Sequence, residues 1–187
     1  MDAFGYLSVL LSIVLGLALT QLLTGAGRLL KASERVKPYA PALIWMAILF
    51  MVIVQSWWTL FSLRKYDEWT ILAFVVVLLH PVLLYVMVEL MTPEIERGEE
   101  IDLKSAYFRQ APMFFVAIML LIAVSLLRPV VLLGRVSNAA DVLMQSAFFL
   151  AAAGGAVWKD SRFHIGLAAF AVLWEAVYVG WLFLELN

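Results

Sequence analysis

The stretch WTILAFVVVLLHPVLLYVMVELM, residues 69–91, decides the fold. A bilayer's hydrocarbon core takes about 20 apolar residues as a helix, and this run is long enough to cross it. Its aliphatics show neither the alternation of a half-buried strand nor the polar stripe of a soluble helix. Yet His80 and Pro81 stand at its middle and Glu89 near one end.

Reading outward with charges, prolines and turn residues as boundaries, the spans fall at about 4–26, 42–63, 69–91, 113–133, 139–158 and 163–186. Of the 187 residues, 65% are apolar and 14% charged, against about 25% charged in a soluble domain. The expected fold is therefore all-α: a polytopic integral membrane protein with six transmembrane helices in a single bundle. Residues 1–187 form one transmembrane domain, with no soluble domain beside it. Short connections at 64–68, 134–138 and 159–162 make their flanking helices antiparallel hairpins. Asn138, with Asp141 three residues on, has the form of an N-cap opening the fifth helix.

The composition excludes several classes. A net charge of −1 offers no basic excess to meet phosphates, so no nucleic-acid partner is expected. The absence of cysteine removes disulfides, thiolate metal sites and iron–sulfur clusters. The N-terminal run lacks a basic leader and exceeds the 7–15 residues, roughly, of a signal-peptide core, so it reads as a permanent span. No phosphate loop, GxSxG or HExxH occurs, and no nucleophile–base pairing presents itself, so no catalytic residue is named. An enzyme acting on lipid is a distant third reading. The two histidines, His80 and His164, fall at different depths, which argues against haem or a metal. No cofactor is expected.

Orientation follows from the cations. Arg28, Lys31, Arg35, Lys37, Arg97, Lys104, Arg109, Lys159 and Arg162 lie on one side, and Arg64, Lys65, Arg128 and Arg135 towards the other. The positive-inside rule puts the first group in the cytoplasm and both termini on the non-cytoplasmic side, with a bacterial inner membrane the expected location. Tyr6, Trp57, Trp58, Trp69 and Trp181 would form the outer aromatic belt, and Tyr39, Trp45, Trp158 and Phe163 the inner one. Two connections have length. Residues 28–40 are basic and helix-prone, so the first helix is expected to run past its span until Pro38 and Pro41. Residues 92–110 are acidic, with a short interfacial helix expected from about Leu103.

Helices in lipid associate through small residues that allow close backbone approach. Ser8, Ser12, Gly16, Thr20 and Thr24 form such a ridge on the first span, read either as packing within the chain or as a homo-oligomer face. Ala147, Ala151 and Gly155 on the fifth span, and Ala176 and Gly180 on the sixth, are further small positions.

Ionisable groups inside a membrane cost about 2.5–3.5 kcal/mol each at the centre of a span, so each needs a reason. His80 and Glu175 are the two at mid-depth. If the third and sixth helices touch, they pair, each relieving the other's burial. Pro81 frees the Val77 carbonyl and bends the helix beside the imidazole. Arg128 either snorkels to headgroups or attracts anions into an outer vestibule with Gln55 and Gln145. Glu89 lies about 13–14 Å from His80 along the helix, within reach of a water-filled path. Gln21 would cap neighbouring carbonyls. The bland reading of all these groups is that they bond neighbouring helices and lock the packing.

The expected function is a small channel or proton-linked transporter for a small solute or ion, acting as a homo-oligomer. His80, Glu175, Pro81, Glu89, Gln55, Gln145 and Arg128 are its pathway candidates. The rival reading is a non-transporting scaffold, sensor or accessory subunit that meets a protein partner through loops 28–40 and 92–110.

Overall fold

A computed structural model of the chain describes residues 3–66, 69–93 and 100–185. Six helices make up nearly all of it: α1 (Ala3–Lys31), α2 (Ala40–Thr59), α3 (Ile71–Met91), α4 (Leu103–Leu133), α5 (Ala139–Val157) and α6 (Ser161–Glu185). Each is long and apolar enough to cross a membrane. One end of the bundle carries the connections at 32–38 and 158–160 and is called here the basic end. The opposite end carries the connections at 60–70 and 134–138.

Helix boundaries have local causes. Asn138 Oδ1 accepts from the Asp141 backbone N–H at 2.8 Å, forming the N-cap expected for α5. Asp160 Oδ2 does the same for Phe163 N–H at 2.9 Å and opens α6. Gly134, at φ +63°, ends α4 in the left-handed conformation that a side chain disfavours. Two boundaries differ from the sequence expectation. The segment from Leu103 is not a separate interfacial helix but the start of α4, which runs unbroken through Pro112. Asp102 caps it by accepting from Lys104 and Ser105, and buried Leu103, Tyr107 and Ala111 hold its first turns against the bundle. The second helix ends at Thr59, and a 3-10 turn, Leu60–Lys65, completes the connection.

The two long connections meet. Val36–Lys37 and Ile101–Asp102 form a parallel two-residue ladder, β1 and β2, that no sequence pattern announced. Lys37 and Glu100 flank it in an exposed ion pair at 2.5 Å, and the hydrogen bond to Glu100 raises the Lys37 ammonium above its usual pKa. Being exposed, the pair adds little stability. Residues 94–99, the centre of the acidic loop, lie outside the described residues.

The core forms where α3 packs against α4 and α1, with α2 beside them. α1 turns a leucine stripe inward: Leu7, Leu11, Leu15, Leu22 and Leu29 are all buried. The Ser8 to Thr24 ridge lies beside that stripe, partly buried at Ser8, Ser12 and Gly16 and exposed at Thr20 and Thr24. Its hydroxyls bond back along their own helix, Ser8 to the Gly5 carbonyl and Thr20 to the Gly16 carbonyl. A Cβ on Gly16 would meet nothing within 4 Å. Within the chain, then, the Ser8 to Thr24 ridge is not what packs α1; the leucine stripe does, with Ala18 and Gly25, where a Cβ would meet Thr92. Tyr39 and Trp45, expected in an interfacial belt, are buried at 7% and 2% exposure, because aromatic neighbours on α4 surround them. The Trp181 side chain lies outside the described residues.

The last two helices are held at one end. Buried side chains on α5 are confined to Ala152 and Gly155, and those described on α6 to His164, Leu167, Ala168 and Ala171. Both sets lie in the basic-end halves. There Gly155 permits a close approach, since a Cβ on it would sit 2.8 Å from Phe115 and Leu167. Gly155→Val should therefore cost about 1–3 kcal/mol by overpacking, read as a lowered thermal midpoint in detergent. Gly166→Ala, whose added methyl meets nothing, should hold or raise the midpoint; equal losses in the two variants would refute this packing.

Candidate functional site: a polar cavity among α2, α4, α5 and α6

The site begins with two adjacent residues on α2. Successive residues on a helix point about 100° apart, so Gln55 and Ser56 serve different neighbours. Ser56 is buried; its Oγ donates to the Val52 carbonyl at 2.7 Å and lies 3.0 Å from His80 Nε2 on α3. With the hydroxyl hydrogen on Val52, the imidazole Nε2 is the donor to Ser56. Gln55 reaches the other way, its Nε2 donating to Glu175 Oε1 on α6 in a short hydrogen bond.

This arrangement corrects the direct His80–Glu175 pair. α2 packs against both α3 and α6, and each ionisable side chain bonds α2 rather than its counterpart. Two polar neighbours on one helix do the work that one long-range pair was expected to do. Pro81 is buried within an α3 that continues through it, and it does not line the cavity. The hydrogen-bond partner of the imidazole is Ser56, not the carbonyl that Pro81 frees.

Gln55, Ser56, His80 and Glu175 line a half-open cavity of about 500 Å³. Arg128 from α4, with Gln145 and Asp141 from α5, complete its polar wall. It runs from Ser137 and Asp141 at the opposite end, past the middle of the helices, to Trp45 and Met87. Five of the seven pathway candidates thus share one space. Asp141 was read from sequence only as part of a cap, but its Oδ1 also accepts from Gln145 Nε2 at 2.9 Å. A carboxylate only accepts, so this bond fixes which way the Gln145 amide faces. Gln145 Oε1 is buried and has no hydrogen-bond partner among the described residues. Among the described residues Arg128 forms no hydrogen bond or ion pair, and Glu175 bonds only Gln55.

Glu89 stands elsewhere. It is exposed and accepts from Gln21 Nε2 at 2.6 Å, so Gln21 bonds a carboxylate rather than a backbone carbonyl. Glu89 lines a separate cavity of about 470 Å³ at the basic end, with Tyr107 and Arg109. An aromatic cluster lies between the two spaces: Trp45 borders the large cavity and Tyr107 the smaller one. Trp45 contacts Phe114 and Phe115 edge-on at 5.2 and 5.5 Å.

His164, which sequence reading placed at the interface without a role, is fully buried in this cluster. Its Nε2 lies 2.7 Å from the Trp158 carbonyl and its Nδ1 2.8 Å from the Tyr107 hydroxyl. A carbonyl only accepts, so Nε2 carries the hydrogen and Nδ1 accepts from Tyr107. The signal that could have found it is a histidine in a first helical turn amid the aromatics Trp158 and Phe163, on the side where Tyr107 and Phe108 also fall.

Among the described residues, no group of three or more His, Asp or Glu side chains is arranged to hold a metal ion. Comparison with protein-family models, curated proteins and solved structures returns no match.

Tyr107→Phe strands the His164 Nδ1 acceptor in the core and should cost about 1–3 kcal/mol. In the Tyr107→Phe, His164→Leu double variant the losses should be less than additive by about 0.5–3 kcal/mol. Chemical unfolding in micelles reads both, and strict additivity would break the proposed bond.

Proposed function

We propose that this chain is a membrane transporter for a small polar solute, with proton movement through the central polar groups. The observation that carries the reading is the convergence of His80, Glu175, Gln55, Gln145 and Arg128 on one cavity that passes mid-helix and stops at an aromatic wall. Polar side chains are costly at such depth and mark pathways by default. Gln55, Glu175 and His80 also bond across helices, but Arg128 lines the cavity with no such bond among the described residues, so packing alone does not account for it.

Under the positive-inside rule the basic end faces the cytoplasm, so the cavity opens to the non-cytoplasmic side of what we take to be a bacterial inner membrane. The Trp45, Phe114, Phe115 and Tyr107 cluster is then the closed inner gate. Alternating access asks for one group of helices to rock against another around a fixed site. The α5–α6 hairpin suits that movement, its buried residues being confined to the basic end while Glu175 meets α2 beyond them through one hydrogen bond, to Gln55. The pathway lies within one protomer. A homo-oligomer built on the unfilled Ser8 to Thr24 ridge would add stability rather than complete the route.

The rival reading, a non-transporting module, finds support in the clasp between the two long connections, which gives their surface a defined shape. Flux separates the two. Reconstituted into liposomes with a trapped pH dye and a mixture of small polar metabolites outside, the wild type should acidify under an imposed gradient. Glu175→Gln should fold with a thermal midpoint close to wild type yet lose at least about tenfold in rate, the loss of one mid-membrane proton carrier. No wild-type flux under either a pH gradient or a voltage would favour the module.

A further inference from the structure

The walls of the large cavity carry unmet bonding capacity of both signs, and the pattern names a class of solute. Arg128 presents guanidinium donors with no acceptor among the described residues. A planar fork of this kind is matched by a carboxylate, which takes two parallel hydrogen bonds from it. On other walls stand acceptors with capacity to spare, the second oxygen of Asp141 among them, and two of these matter here. Gln145 Oε1 is buried and unpaired, its orientation set by the bond from Nε2 to Asp141. The Glu175 carboxylate spends one oxygen on Gln55 and has the second free among the described residues. An ammonium offers three donors and a positive charge, and so answers a carboxylate and an amide oxygen together.

Much of the remaining lining is apolar or aromatic, with hydroxyls from Ser125, Ser137 and Thr59 among it. Phe148 and Trp174 face each other with ring centroids 5.7 Å apart, and both line the cavity with Leu121 and Ile122. A wall of this kind accepts a hydrocarbon side chain and not a sugar or a second charge. About 500 Å³ lies within the range typical of small-molecule sites.

We infer that the cavity binds an α-amino-acid-like zwitterion with an apolar side chain. Its carboxylate meets Arg128, its ammonium bridges Glu175 and Gln145 Oε1, and its side chain lies against Phe148 and Trp174. The inference rests on the reading of this cavity as a solute site, and it adds the class of solute. It also gives the stranded Gln145 oxygen a purpose: a site built to hydrogen-bond a substrate group leaves its own group unpaired when empty.

The test needs no transport. Binding to the intact, detergent-purified protein is measured by competition against radiolabelled leucine and by thermal shift. Leucine, isocaproate (leucine without its amine) and isoamylamine (leucine without its carboxylate) are the probes. Leucine should bind at least about tenfold tighter than either single-charge analogue, the worth of one charge-assisted hydrogen bond pair. Arg128→Gln should weaken leucine and isocaproate about tenfold or more and leave isoamylamine unchanged. Gln145→Leu should weaken leucine and isoamylamine and leave isocaproate unchanged, and it removes an unpaired buried acceptor, so it should not unfold the protein. This crossed pattern is what a merely structural role for either residue would not produce.

Isocaproate binding as tightly as leucine would overturn the inference in favour of an anion site, and isoamylamine doing so in favour of a cation site. No leucine binding to well-folded wild type would overturn it outright, even if proton-coupled uptake of other solutes were seen. Leucine binding without uptake into liposomes would instead sustain the zwitterion site and sink the transporter reading alone.

Discussion

The buried His164 imidazole sits among aromatic rings and bonds two groups at once, the Trp158 carbonyl and the buried Tyr107 hydroxyl. Trp158 follows the last turn of α5, where carbonyls lose their helical partners. In apolar surroundings an unpaired polar group of this kind costs several kcal/mol. Three such groups meet each other's needs and in doing so bind the α5–α6 hairpin to α4. Gly155 brings the same helices into contact by leaving room for Phe115 and Leu167. In the other halves of α5 and α6 the described residues bury no side chain, and the Gln55–Glu175 hydrogen bond is what ties α6 to α2 across the cavity.

The polar side chains divide by whether their bonds are met. Ser56 with His80, Gln55 with Glu175, Gln21 with Glu89 and Tyr107 with His164 each join two helices. The bland expectation, that intramembrane polar groups lock packing, holds for these pairs. Unmet capacity is not spread evenly. Among the described residues it is found on the cavity wall, at Arg128, Gln145, the second oxygen of Glu175 and the buried Trp45 Nε1.

Much of the fold was legible because apolar run length is a one-dimensional signal. All six helices follow from it, and the Asn138 cap from the residue type and its spacing to Asp141. The continuous α4 was harder to see, since charges at Lys104 and Arg109 and a proline at 112 imitate a boundary that tertiary packing overrides. Adjacency was beyond reach: no periodicity tells that α2 stands between α3 and α6, so His80 and Glu175 were joined directly instead of through Gln55 and Ser56. Five of the residues singled out line one cavity, whereas Glu89 lines another, because distance along a helix says nothing of what lies between. The α1 ridge misled for a related reason. Small residues permit close contact without requiring it, and leucines one position over made the contact first. Residues 36–37 and 101–102 are too few to show a strand pattern, so their ladder had no signature.

That ladder has a mechanical consequence. By stitching the connection between α1 and α2 to the one between α3 and α4, it closes the first four helices into a braced frame at the basic end. The remaining pair is joined to the frame covalently only through the five residues that begin at Gly134. The molecule is thus a chassis and an arm, four helices and two, although the sequence offers no break in composition between them. Beyond that short connection the arm meets the frame through side chains, at His164 with Tyr107 near its root and at Glu175 with Gln55 farther along.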